Sequence, residues 1–193
     1  MENLNLDPVK TAVLSLDIQK GVVRKSTMYR ERNVGQAVRS VLEAARKTGM
    51  LVVHVIIDYR PSFFPLRNKF LQMVRIPSLS IPGVDVADLL EILDEAKPIG
   101  DEPVVRKPRV GPFFATNLES ILRSRDIDTV VLVGVATEFV VESAARHAAD
   151  ADFRVLVLED CCAGFSDETH RVSLHIMNNF AWLATSADFL QSV

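Results

Sequence analysis

Apolar and polar positions along the chain follow two alternating regimes. Thr11–Leu16 (TAVLSL), Leu51–Ile57 (LVVHVII), Thr129–Val133 (TVVLV) and Arg154–Leu158 (RVLVL) are short runs that are apolar on both faces. Such runs, rich in β-branched residues, predict buried strands. Val104–Lys107 and Ala181–Ala184 read as shorter strands. Between these runs the apolar residues recur at three and four. Val34, Ala37, Val38, Val41, Leu42 and Ala45 form one helical face, with Gly49 as its stop. Similar spacing predicts helices over Val86–Leu93, Asn117–Arg125, Glu138–Ala149 and Glu168–Phe180, with a terminal turn from Asp188. The connection from Arg60 to Pro82, rich in Pro and Phe, is too long for a structural turn and suits a binding site.

Strands alternating with helices predict an α/β fold, a parallel sheet covered on both faces, in one domain spanning residues 1–193. In such sheets functional groups gather where the strands end. That rule selects Asp17, Asp58, Lys107, the Gly134–Glu138 turn and Glu159–Cys162.

Charge narrows the partners. The chain carries 22 Lys+Arg against 25 Asp+Glu, so no basic field gathers phosphates, and a nucleic-acid partner is not expected. A hydrophobic content of 48% excludes a disordered chain. No apolar stretch reaches membrane-spanning length and no leader is evident at Met1–Pro8, so no membrane partner is expected. The two cysteines, Cys161 and Cys162, are adjacent, which suits neither a disulfide framework nor a zinc site. The reducing cytoplasm is the expected location.

At the strand ends, Asp17 reads either as a loop carboxylate or as a general acid/base. Lys107 reads either as a solvated lysine or as a charge partner for Asp17. In the turn after the Thr129–Val133 strand, Thr137 suits an N-cap, and free backbone N–H groups there would make an anion site. These readings coexist.

Four pieces in order, Leu16-Asp17-Ile18-Gln19, Arg106-Lys107-Pro108-Arg109 with Phe113 and Thr116-Asn117-Leu118, Gly134-Val135-Ala136-Thr137-Glu138-Phe139, and Glu142-Ser143-Ala144-Ala145-Arg146-His147-Ala148, resemble the isochorismatase-like hydrolase superfamily from about Val13 to Phe165. The resemblance implies a three-layer α/β/α sandwich around a six-stranded parallel, Rossmann-like sheet, a small-molecule substrate and a homo-oligomer, dimer or tetramer. It makes Asp17 the general acid/base and Lys107 its charge partner. It places a cis peptide between Val135 and Ala136, oxyanion-binding N–H groups at Ala136 and Val140, and Gln19, Phe113 and Thr137 at the substrate. The departure is at the third residue after Thr137. The amidase branch of the superfamily has its nucleophilic cysteine there; this chain has Val140, which has no lone pair, acidic proton or thiolate to offer. Cys161 or Cys162 taking over that role is a minor alternative.

A metal is not expected, and no cofactor is implied. The nicotinamidase branch holds its metal with an aspartate and two histidines after the second strand, whereas Asp58-Tyr59-Arg60-Pro61-Ser62-Phe63-Phe64 contains no histidine. His54, inside an apolar strand, reads as a hydrogen-bonded core residue. Three functional readings follow: a cysteine-independent, isochorismatase-type vinyl-ether hydrolase; an amidohydrolase whose cysteine is replaced at 140; and a non-catalytic binding or scaffold protein. Arg60, Arg67, Arg75 and Arg109 are candidate cations for an anionic substrate, and Phe63, Phe64, Phe113 and Phe114 are candidate aromatic contacts at the site edge.

Overall fold

The computed structural model describes residues 4–58, 60 and 85–193. Its six strands are β1 (Thr11–Leu16), β2 (Leu51–Ile57), β3 (Val104–Lys107), β4 (Thr129–Val135), β5 (Arg154–Ala163) and β6 (Trp182–Ala184). They form one sheet in the order β3-β2-β1-β4-β5-β6 with every pair parallel. The helices are α1 (Lys20–Val23), α2 (Thr27–Glu31), α3 (Val34–Thr48), α4 (Val86–Leu90), α5 (Leu118–Arg123), α6 (Glu142–Asp150), α7 (Asp167–Met177) and α8 (Ser186–Gln191). Among the described residues no helix is long and apolar enough to cross a membrane.

The sheet is apolar on both faces because both faces are covered. Val13, Val52, Val131 and Val133 share one buried cluster with Val38, Val41 and Leu42 of α3 and Phe189 of α8. Ala12, Leu14, Leu16, Val53 and Leu132, one residue out of phase, share the other with Leu122 of α5, Ala144 and Ala148 of α6 and Met177 of α7. A one-residue slip would exchange the two sets, so the pleat and the two helix layers fix the register together. Helix α3 closes on Gly49 at φ +81, whose N–H reaches Arg46 O while Met50 N–H reaches Ala45 O.

Several boundaries differ from the sequence reading. The strand from Thr129 passes Gly134 and ends at Val135, and Ser186–Gln191 is a helix rather than a terminal turn from Asp188. The Val86–Leu93 helix ends at Leu90, because Glu91, Ile92 and Leu93 turn to pair with the backbone of Lys20, Gln19 and Ile18. The strand from Arg154 does not close at Glu159 and Asp160 but runs on to Ala163. Leu132 pairs with Val157 and Gly134 with Cys162, so residues 158–161 oppose Val133 alone. This bulge frees the Asp160 carboxylate to accept from the N–H and hydroxyl of Ser186 at the start of α8. The helix expected from Glu138 starts as a π turn, Thr137–Val141, and becomes α-helical at Glu142. The Arg60–Pro82 connection, Arg60 apart, lies outside the described residues.

Candidate active site

The sheet reverses its winding between β1 and β4, and crevices in such sheets open where this reversal meets the strand ends. Asp17 stands there. Its backbone takes φ +52, a left-handed conformation that Asp tolerates better than most residues, and its N–H donates to Val55 O at 2.8 Å. Lys107 ends β3, two strands away, in register with Ile57 of β2. Its ammonium passes the end of β2 to lie 2.8 Å from Asp17 Oδ2, and it also donates to Arg109 O at 3.0 Å. Both residues are buried, and Asp17 Oδ1 has no hydrogen-bond partner among the described residues.

Burial sets the electrostatics of this pair. Desolvation pushes the Asp17 carboxyl above the usual carboxylate range, against the attraction of Lys107. Desolvation likewise pushes the Lys107 ammonium down, against the attraction of Asp17. A carboxyl that holds its proton more readily than usual, with one oxygen uncommitted, suits general acid/base work.

The turn after β4 completes the edge. The peptide from Val135 to Ala136 is cis. Ala136 O accepts from both Phe139 N–H and Val141 N–H, at 3.1 and 3.3 Å, whereas Ala136 N–H has no acceptor among the described residues. Val140 is buried within this turn, among the apolar residues of the α6 side.

The other residues named from the sequence fall in varied places. Thr137 is not the N-cap. Ala136 holds that position, no side chain caps the turn, and Thr137 Oγ1 is paired with His170 Nδ1 of α7 at 2.8 Å. Gln19 spends its whole amide on backbone: its oxygen accepts from Ile57 N–H at 2.8 Å, and its NH2 donates to Ile57 O at 3.1 Å and Leu89 O at 3.0 Å. Phe113 is buried with its ring stacked on His147, centroids 4.4 Å apart, while Phe114 is exposed. Phe63, Phe64, Arg67 and Arg75 lie outside the described residues. His54 is a core residue, with Nε2 2.9 Å from Glu102 Oε2.

Cys161 and Cys162 lie inside β5, both buried, on opposite faces of the sheet. Burial pushes the Cys162 thiol up to about 12 and the Cys161 thiol higher still, so neither supplies a thiolate near neutrality. Asp58, buried at the end of β2, binds Arg60 at 2.5 Å and Arg106 at 3.3 Å. Burial alone would raise the Asp58 carboxyl; Arg60 and Arg106 outweigh it and hold it low. Arg109 turns back on Pro108 O at 2.7 Å. Among the described residues no three His, Cys, Asp or Glu side chains are arranged to hold a metal ion.

His170 is the site residue that sequence reasoning missed. A signal existed: it shares a helix face with the buried Leu174 and Met177, so it is a polar residue on an apolar stripe.

Comparison with known proteins places the chain in a family. The isochorismatase domain family matches residues 11–188. The chain is 30% identical over its whole length, and 99% of the relative, to the uncharacterized isochorismatase family protein YwoC of Bacillus subtilis. It is 36% identical, covering 99% of this chain and 86% of the relative, to the ureidoacrylate amidohydrolase RutB of Acinetobacter baylyi. A cysteine hydrolase from Pseudomonas syringae has the same fold, with a TM-score of 0.84 over 97% of this chain and 94% of that one at 22% identity.

Proposed function

The chain belongs to the isochorismatase family, and from that premise we propose a small-molecule hydrolase in which Asp17 is the general acid/base, Lys107 its charge partner, and water the only nucleophile. One observation carries this reading: the buried Oδ1 of Asp17, unpaired among the described residues, on a carboxyl that Lys107 holds from the other side at 2.8 Å. Among the described residues that oxygen has no partner, so a proton carried there is available to a substrate.

The chemistry that fits is hydrolysis of a vinyl ether. Asp17 delivers its proton to the terminal vinyl carbon, whose π electrons form the new C–H bond and leave an oxocarbenium ion. Water adds to the oxygen-bearing carbon of that ion and returns a proton to Asp17. The hemiketal then breaks its C–O bond, giving a carbonyl compound and an alcohol. Lys107 stabilises the Asp17 carboxylate in between, and Ala136 N–H offers a donor to a substrate carboxylate or to the departing oxygen. No step needs a group at position 140, where the valine side chain supplies none.

A second reading is favoured by the likeness to RutB over nearly the whole chain. There the lineage is that of an amidohydrolase, and Val140 stands where the amidases of the superfamily have their nucleophile.

Turnover of the unaltered protein and of its Val140→Cys variant separates the two readings, followed as pyruvate released from isochorismate and ammonia released from a panel of small amides. Release of pyruvate by the unaltered protein, abolished by Asp17→Asn, is expected. Activity confined to Val140→Cys, and to amides, overturns the acid-catalysed reading and establishes the second.

A further inference from the structure

We propose that His170 is a positioning residue for this site, acting through Thr137 on the turn that carries Ala136 N–H and Val140. The proposal rests on reading that turn as the anion-binding element of the site.

The turn has the backbone bonds of a π turn, Glu142 N–H to Thr137 O among them, and is also tied from outside. Two of its N–H groups, Phe139 and Val141, converge on the single carbonyl of Ala136, and its start lacks a side-chain cap. Its side-chain ties run outward, to the segment entering α7. Thr137, fully buried, pairs with His170 Nδ1 at 2.8 Å. Glu138 Oε1 accepts from Phe165 N–H at 2.9 Å and from the Thr169 hydroxyl at 3.1 Å. Both anchors therefore belong to residues 165–170, whose geometry is set by the Ser166 cap: its Oγ accepts from Thr169 N–H, and its carbonyl accepts from His170 N–H. The segment is held in turn by Ser26, whose hydroxyl donates to Gly164 O at 2.6 Å. Packing leaves no slack. A Cβ at Gly164 would lie 2.8 Å from Glu138 Oε2 and 2.9 Å from His170 Cβ.

The Thr137–His170 bond differs in kind from the Glu138 contacts. Both of its partners are buried, so water does not replace the bond if it breaks, and the orphaned hydroxyl or ring nitrogen keeps its desolvation cost. Burial also pushes the His170 imidazole down, with Arg32 adding to the effect and Glu138 and Asp167 opposing it. In a neutral ring Nδ1 shares one hydrogen bond with the Thr137 hydroxyl, the donor being set by the tautomer. Thr137 lies one residue after Ala136 and three before Val140, so a change in its rotamer shifts both. His170 thus fixes the direction of the Ala136 N–H without touching a substrate.

The test uses a thiol as a reporter, so it does not depend on turnover. In Val140→Cys the introduced thiol sits in the turn itself, and its alkylation rate by iodoacetamide across pH reports the local field through the thiolate fraction. Cys161→Ala and Cys162→Ala are built into every variant, so the rate read is that of the reporter alone. Adding His170→Phe to Val140→Cys is expected to slow alkylation at pH 7 by about tenfold and to raise the reporter's titration midpoint. Thr137→Val, which removes the same bond from the other side, should do the same, and the two together should be no slower than either. His170→Asn, which keeps an acceptor near the Nδ1 position, should restore most of the rate. Equal rates with and without the bond, or effects that multiply in the double variant, overturn the proposal. If His170→Phe does not fold, Thr137→Val carries the test. A protein that turns over neither substrate class defeats the hydrolase reading and leaves the outcome of the thiol assay unaffected.

Discussion

Gly134 and Leu16 meet so closely that a Cβ on Gly134 would lie 2.1 Å from the Leu16 carbonyl oxygen. They are register partners on β4 and β1, the two strands at the reversal of the sheet, and Gly134 also takes φ +147. Only glycine fits there, for both steric and conformational reasons. The contact matters to function because Leu16 immediately precedes Asp17 and Gly134 leads into the Val135–Ala136 turn. Gly134→Ala should cost on the order of 3 kcal/mol, from overpacking and backbone strain together. Urea unfolding measures it, and a loss under about 0.5 kcal/mol would mean that the strands can part at no cost.

The Asp17–Lys107 pair leads to a prediction about non-additivity. Lys107→Met leaves a buried carboxylate without its partner, and Asp17→Leu leaves a buried ammonium. Each should destabilise by about 3–5 kcal/mol. Asp17→Leu/Lys107→Met removes both charges and should be far less damaging than the sum. Both single variants should lose activity, and the double should be stable yet inactive. Additive losses in chemical denaturation would show that the two charges do not depend on one another.

Strands β1, β2, β4 and the first half of β5 were legible in the sequence because burial on both faces leaves a continuous apolar run, which survives any detail of packing. Asp17, Lys107 and the turn after β4 were legible because the topology places strand ends together before any partner is known. What escaped depends on distant contacts. Helices α1 and α2 are too short to show a period, and Ser26 holds their junction from outside, by its bond to Gly164 O. The charges of Glu159 and Asp160 suggested the end of a strand, but Asp160 is needed at the start of α8, 26 residues later. His170 meets Thr137 across 33 residues, and no local pattern announces that pairing.

Gln19 illustrates the same lesson as a measurable effect. The resemblance places it at the substrate, while in the structure its amide joins the end of β2 to α4 by three buried hydrogen bonds. Gln19→Ala strands the Ile57 N–H and two carbonyls, and should destabilise by about 3 kcal/mol at the usual cost of unsatisfied buried groups. Amide exchange at Ile57 should accelerate in step. An unchanged melting temperature with a raised KM would instead return Gln19 to the substrate.

Acid sensitivity follows from His54 and Glu102. Burial pushes the His54 imidazole below its ordinary value, with Arg46 adding to this and Glu102 opposing it. The folded state therefore binds fewer protons than the unfolded chain as pH falls below about 6.5, and stability is lost from there downward, by up to about 1.4 kcal/mol per pH unit for each such group. His170, also held low by burial, acts in the same direction. Glu102 enters later. Burial works against its ionised form, but Arg46, Ile99 N–H and His54 hold its carboxyl at about 2, so its contribution is present above the unfolded value of 4.5 and is lost as pH falls toward 2. The expected profile is level from pH 7 to 8, sloping below 6.5 and steeper below 4.5. His54→Gln should flatten the upper slope while leaving the lower one in place. A melting temperature constant from pH 7 down to 5, or a slope that His54→Gln and His170→Asn together leave unaltered, would show that neither imidazole is held neutral by the fold.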